Sequence, residues 1–230
     1  MLPVGSVLVD FDGTACLHDV AEHLLIEFGD PSWPELDAAW ERGELDSRRV
    51  ITAQAAMLAA PLDTLVAFAV EHCPLDPTFS PFVRWLEREG VAVSLVSDGF
   101  GFYIDHILRA AGLDDVHVIT NTWSEDGDRP MSFGNGHPEC VGCGTCKMNV
   151  VLEARSRGPV AFVGEGSSDR YGALYSDVVF AKDRLVGIAS SDGVPFEPWE
   201  TFDDVRARLE VLEVIPGPVG GERCPGWRTP

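Results

Sequence analysis

Asp10, Phe11, Asp12, Gly13 and Thr14 follow directly on the apolar run Val4 to Val9. Two carboxylates two residues apart in an extended segment share one face, and Gly13 lets the chain turn sharply behind them. One can then attack as a nucleophile while the other gives and takes a proton. A turn in which Asp and Gly merely close a strand uses the same residue types, so an Asp-Gly pair alone says little. Three further groups follow apolar runs or open a helix. Ser97-Asp98-Gly99 comes after Val91 to Val96; a hydroxyl and free amides at a helix start suit an anion, although alone they read as an ordinary N-cap. Lys147 opens the helix behind a cysteine-rich loop. A cation there opposes the helix dipole unless an anion is bound nearby; the plain alternative is a solvated surface lysine. Gly164-Glu165-Gly166-Ser167-Ser168-Asp169 follows Val160 to Val163. Two carboxylates four apart, with glycines that allow close approach, suit an oxygen-ligated magnesium ion that keeps several waters. An N-capped helix start at Ser167 or Ser168 is the alternative.

These groups need elements that bring them together. The run at 4–9 reads as a strand buried on both faces. Leu17, Val20, Ala21, Leu24, Leu25 and Phe28 then form an amphipathic stripe, and helical segments near 33–42, 47–59 and 62–72 follow between Gly43, Pro61 and Pro74. From Pro77 the rhythm alternates: a helix stopped at Gly90, a strand at 91–96, a helix at 101–111 and a strand at 116–122. The irregular stretch 124–144 includes a short return of Arg129 to Phe133 against 116–122. A helix at 146–157, a strand at 160–163, a helix at 168–175, a strand at 178–181 and a last helix near 202–212 complete the pattern. The expected fold is α/β, a doubly wound parallel, Rossmann-like sheet, with a small helical cap inserted after the first strand. Residues 1–15 and 77–215 form the core, 16–76 the cap, and 216–230 a Pro- and Gly-rich flexible tail. In such sheets ligands sit beyond the carboxyl ends of the strands, where all four groups fall.

Composition narrows the classes. With 230 residues, 45% of them hydrophobic, the chain can bury a sizeable core. A formal net charge of −20 argues against non-specific nucleic-acid binding, whereas local cations and amides still permit a phosphorylated substrate. No apolar run has membrane-spanning length, and no leader precedes the first strand, so the expectation is a soluble, cytoplasmic protein without membrane partners. The six cysteines then imply no disulfides.

Four chemically competent groups, each in this order behind its own element, resemble the haloacid dehalogenase (HAD) superfamily in its phosphoserine-phosphatase-like branch. Cys143-Gly144-Thr145-Cys146-Lys147 and Ser176-Asp177-Val178-Val179-Phe180-Ala181-Lys182-Asp183 are similar, more narrowly, to the methionine-salvage phosphatases acting on 2-hydroxy-3-keto-5-methylthiopentenyl-1-phosphate. The resemblance spans residues 4–212. It implies a Mg2+-dependent phosphatase acting on a small phosphorylated metabolite, with Asp10 as nucleophile and Asp12 as acid and base. It also implies Ser97, Asp98, Gly99 and Lys147 around the phosphate, and Asp10, Asp12, Glu165 and Asp169 on the metal side. Where the family has Asp this chain has Glu165, one methylene longer, which leaves altered metal preference or a non-catalytic binding role open. A phosphotransferase or phosphomutase on the same site is the other alternative. A dehalogenase needs no acid for its leaving halide, which favours phosphoryl chemistry given Asp12. Phosphonate cleavage would need a cap lysine, and residues 16–76 contain none.

The cap is expected to close over the site and exclude water. His18, Asp19 and Glu22 at its start are placed to reach substrate, with N-capping the competing role for Asp19. Arg48 and Arg49 would bind a substrate carboxylate or stay solvated. His137, Cys140, Cys143 and Cys146 recur at three-residue intervals, which permits a structural zinc site, a tightly packed thiol loop or a redox function. Neither oligomeric state nor pathway is written in the residues.

Overall fold

The computed structural model describes residues 2–123, 131–137, 140, 142–213 and 215–220. Its centre is β1 (Ser6–Val9), where every residue from Val7 to Val9 is buried. On one side β1 pairs in parallel with β2 (Ala92–Phe100), and on the other with β5 (Val160–Gly164). Beyond β2 lie β3 (His117–Trp123) and the short β4 (Met131–Ser132). Beyond β5 lie β6 (Val178–Ala181) and β7 (Glu197–Pro198), giving the order β4-β3-β2-β1-β5-β6-β7. Only β4 runs antiparallel, pairing Ser132 with Thr122, the return expected from the sequence. Arg129 and Pro130 lie outside the described residues.

Alternating side chains dress both faces of the sheet. Leu8, Val96 and Phe162 pack with Val151 and Ala154 of α7 (Lys147–Arg155). Val7, Val9, Leu95 and Val163 join Phe79, Phe82 and Leu86 of α5 (Phe79–Glu89), Tyr103 and Ile104 of α6 (Gly101–Ala110), and Phe202 of α10 (Phe202–Val211). Helices thus cover both faces, as a doubly wound sheet requires. Register aligns the chemistry: Val9 is level with Leu95 and with Val163, so the next residues of three neighbouring strands emerge side by side.

Four helices fill the interval between β1 and α5: α1 (Val20–Phe28), α2 (Trp33–Glu41), α3 (Ser47–Met57) and α4 (Leu62–His72). The first begins three residues later than the apolar stripe suggests. Leu17 is instead drawn to Pro74 through its N–H, and Asp19 caps the helix by accepting from Glu22 N. The interval opens and closes at one place, where Cys16 forms an antiparallel bridge with Leu75. Ser47 N donates to Gly142 O across the cleft. No single helix among the described residues is long and apolar enough to cross a membrane.

Three local expectations need correction. β2 continues through Ser97-Asp98-Gly99 to Phe100, with a register shift after Val96, so these residues are the irregular end of a strand rather than a helix start. The segment 167–175 divides into a 3-10 turn (Ser167–Asp169) and α8 (Arg170–Tyr175). An additional helix, α9 (Asp183–Asp192), buries Leu185 and Ala189 and stops at Gly193 with φ +68°. Past α10, Gly217 N reaches Asp177 O and Gly220 N reaches Leu174 O; residues 221–230 lie outside the described residues.

Candidate active site

Asp10 ends the central strand with its N–H bonded to Val163 O. The chain then turns through Phe11–Ala15, with Phe11 fully buried beneath and Gly13 at φ +68°. Gly13 is required twice over. Its backbone sits in the left-handed region, and a Cβ there would stand 3.2 Å from the Glu165 side chain. Glu165 therefore leans directly over the Asp10–Gly13 loop. Thr14 Oγ1 donates to Asp10 Oδ2 at 3.3 Å.

Lys147, at the first position of α7, resolves the apparent conflict with the helix dipole. Its Nζ lies 2.5 Å from Asp10 Oδ1, 2.6 Å from Asp169 Oδ1 and 3.2 Å from Ser168 Oγ. All three charged groups are buried. Asp169 uses its other oxygen on the N–H groups of Glu165 and Gly166 at 2.9 and 3.0 Å. It clamps the glycine-rich loop and the lysine together, one oxygen on each. Burial alone would lower the Lys147 ammonium, but Asp10 and Asp169 outweigh it and raise it. One ammonium between two buried carboxylates leaves a negative excess. Burial, with Asp169 beside it, accordingly pushes Asp10 well above the usual carboxylate range.

Asp12 points into the same pocket, under three donors: Val20 N at 3.0 Å, Ser97 Oγ at 3.2 Å and Tyr103 Oη at 3.0 Å. Burial and the charge of Asp19 push it up to about 7 against those donors, a value suited to an acid and base near neutral pH. Ser97 Oγ also accepts from Gly99 N. Asp98 faces the cysteine loop, its carboxylate accepting from Thr145 N and its carbonyl from Asn121; it fixes the approach to Lys147. Tyr103 and Asn121 carry no functional signal in the sequence, because each looks like an ordinary interior residue of its element.

A cavity of about 210 Å³ opens above these groups. Its floor includes Asp10, Asp12, Ser97, Gly99 and Glu165, and its roof Asp19, Asp37, Trp40, Val50, Ile51 and Gln54 from the helical interval α1 to α3 and the turn before it. Asp19 thus both caps α1 and lines the cavity, whereas Glu22 is exposed and outside the lining. The cap arginines do not serve the site. Arg48 donates to Cys143 O and His137 O and lies over the Phe133 ring, while Arg49 is exposed beside Asp46. Of the two readings the sequence allows, Arg49 follows the solvated one, and Arg48 follows neither, serving as a loop clamp.

The residue pattern raises two metal sites, one for magnesium and one for zinc. His137, Cys140, Cys143 and Cys146 line a small hollow. They do not assemble a ligand set: among the described residues no three His, Cys, Asp or Glu stand grouped to hold an ion. His137 Nδ1 is turned back onto Cys140 N. Around Asp10 the same absence of a preformed cage holds, yet the chemistry fits a hard divalent cation. Asp10 and Asp12 are raised, as is Glu165, pushed to about 7 by burial and by Asp169. Such a cation completes its shell with water and substrate phosphate beyond one or two carboxylates. The sign for stability follows. Carboxyls raised in the folded state stabilise it at low pH and lose that contribution as pH rises through about 7. The metal-free protein is expected to melt at a lower temperature at pH 8 than at pH 5.5, and a divalent cation to reverse the loss at pH 8. Thermal scans with chelator and with added cation check this, and Glu165→Gln should flatten the dependence.

Residues 7–173 match the family model described as haloacid dehalogenase-like hydrolase. A 2-hydroxy-3-keto-5-methylthiopentenyl-1-phosphate phosphatase of Brevibacillus brevis is 27% identical over 212 residues, covering 89% of this chain and 94% of that one. The protein of the same name from Geobacillus thermodenitrificans is 28% identical, covering 90% and 96%. Among solved structures, a phospho-aspartyl intermediate analogue of phosphoserine phosphatase superposes with a TM-score of 0.66 at 17% identity, covering 91% of this chain and 99% of that one. A substrate-bound phosphoserine phosphatase gives 0.68 at 15%, covering 91% and 98%. At those identities the superpositions speak for the fold.

Proposed function

We propose that this chain, which belongs to the haloacid dehalogenase-like hydrolase family, hydrolyses a small phosphomonoester whose alcohol part carries no charge, through an aspartyl-phosphate on Asp10, with magnesium as cofactor. It is an enzyme of the phosphatase kind, as its family and the names of its relatives give. The observation that carries the mechanism is the meeting of Lys147 and Asp169 with Asp10 at the carboxyl ends of adjacent strands, 137 and 22 residues apart in sequence from one partner to the next.

Asp10 attacks phosphorus in line, forming the Asp10 O–P bond as the ester P–O bond breaks. Asp12 gives its proton to the departing alkoxide, then takes one from the water that hydrolyses the acyl-phosphate. Lys147, Ser97 and Gly99 N surround the charge on the transferring group, and such charge stabilisation supplies most of the rate enhancement in phosphoryl transfer. Asp10 and Glu165 would hold magnesium, which supplies further charge neutralisation at the phosphate oxygens. Asp169 acts from behind by fixing Lys147. The cap roof excludes water from the first step.

The roof also favours one class of substrate. Among the described residues no lysine or arginine lines the roof of the cavity. Asp37, oriented by Gln54 Nε2 at 2.9 Å, offers a carboxylate to a hydroxyl, and Val50, Ile51 and Trp40 offer an apolar wall. A hydroxylated substrate with an apolar tail and no carboxylate fits this lining, as the substrate named for the curated relatives would; the carboxylate of phosphoserine would face Asp19 and Asp37 with no cation to receive it. Phosphate release from a panel of monoesters in magnesium tests the assignment. Phosphates of uncharged hydroxylated alcohols should exceed phosphoserine in kcat/KM by about tenfold or more. Asp37→Asn should lower the former by about tenfold, the cost of one buried hydrogen bond to a charged group. Preference for phosphoserine would reverse the substrate reading, and no phosphate release from any ester would end the enzymatic one.

A further inference from the structure

Tyr103 has no exposed surface and is surrounded by the rings of Phe11, Phe100 and Phe102. Phenylalanine would fill that pocket equally well. A hydroxyl in such surroundings costs free energy unless it finds a partner, and here its partner is the Asp12 carboxyl, at 3.0 Å from Oδ2 and 3.2 Å from Oδ1. The backbone makes room for this contact. A Cβ on Gly99 would stand 2.0 Å from Tyr103 Oη, 2.6 Å from Asp12 Oδ2 and 3.0 Å from Ser97 Oγ. The need for glycine at 99 is spatial, since its φ lies outside the left-handed region. A phenol is protonated at neutral pH, so the hydroxyl is the donor in this contact.

We propose that Tyr103 is a positioning residue, whose hydroxyl fixes the Asp12 carboxyl in the orientation from which it protonates the leaving oxygen. The assignment rests on the phosphatase chemistry proposed above. A carboxyl is free to rotate about its terminal bond unless both oxygens are held. Val20 N holds one side from the cap and Ser97 the other from the strand, while Tyr103 spans both oxygens. In the first step Asp12 surrenders its proton to the alkoxide, and the resulting carboxylate is received by the three waiting donors. Tyr103 neither gains nor loses a proton.

Aim matters in proportion to how much the leaving group needs the proton. An alkoxide needs it fully; 4-nitrophenolate leaves almost unaided. The experiment is therefore kcat/KM of Tyr103→Phe for glycerol phosphate and for 4-nitrophenyl phosphate, since this constant reports only steps through formation of the aspartyl-phosphate. The expected loss is about 10- to 100-fold for the alkyl ester, within the range of general acid catalysis, and less than about threefold for the aryl ester. Asp12→Asn should show the same bias, larger. Equal losses on the two esters, or no loss on either, would overturn the assignment, because a merely structural tyrosine cannot distinguish leaving groups. Should Tyr103→Phe fail to fold, 3-fluorotyrosine at position 103, which keeps the ring and the place of the hydroxyl but changes the strength of the donor, is read by the same ratio. A wild-type protein that cleaves neither ester would instead defeat the underlying chemistry, and this assignment with it.

Discussion

Asp10→Asn is expected to abolish turnover, by about 10^4-fold or more, while leaving the protein at least as stable as before. The first half follows from chemistry. An amide oxygen does not attack phosphorus and cannot carry the covalent intermediate, and a 10^4-fold loss corresponds to about 5 kcal/mol of barrier. The second half follows from the electrostatics of the pocket. Asp10 and Asp169 compete for one ammonium in a buried space, and burial with the Asp169 charge already holds Asp10 above its ordinary range. An amide of the same shape removes the repulsion and still accepts from Lys147. Steady-state assays with magnesium, beside thermal scans without it, check both halves. Retained turnover would place the nucleophile elsewhere, and a collapse in stability would mean that Asp10 is structural.

Lys147→Met should show the opposite pattern, a loss of both activity and stability. The methionine fills the volume of the side chain but leaves Asp10 and Asp169 facing each other with no cation, and both are buried. Removing one partner of a buried ion pair costs about 3–5 kcal/mol, because the surviving charge remains desolvated. Asp169 still has its two backbone donors, which places the expected loss toward the lower end. Turnover should fall by about 10^2- to 10^3-fold through lost stabilisation of the transferring phosphate. The double variant Asp10→Asn, Lys147→Met is expected to regain part of the lost stability and none of the activity. Chemical denaturation of the two single variants and the double closes the cycle. Additive losses would show that the two residues are not coupled.

Much of this site is legible in the sequence because it obeys a positional rule. Asp10, Ser97, Glu165 and Lys147 each stand where a strand gives out or a helix begins, and a doubly wound sheet gathers such positions at one edge. Spacing does not show how each carboxylate spends its oxygens. Asp169 lies four residues from Glu165 and looks like a second metal ligand; the spacing does not show that its oxygens also accept from two amides and from Lys147. Arg48 reads as a substrate clamp or a solvated side chain until the chain brings Cys143, 95 residues away, against its guanidinium. Tyr103 sits among Ile104, Ile107 and Leu108 on a helix, where a buried aromatic ordinarily signals packing alone. The helix α9 gives little signal in the sequence because only Leu185 and Ala189 of it are fully buried, with Val186 and Ile188 partly so.

Cys16 and Leu75 face one another across a single bridge, with Asp76 N bonded to Ala15 O beside them. The sheet therefore receives the chain back at the point where it released it, and its registers carry no record of the length in between. Closing a longer excursion costs only slowly more as residues are added. The specificity of the pocket and its reactivity can in consequence diverge independently. A differently sized helical insert between these two residues would change what is admitted without disturbing the alignment of Asp10 with its neighbours.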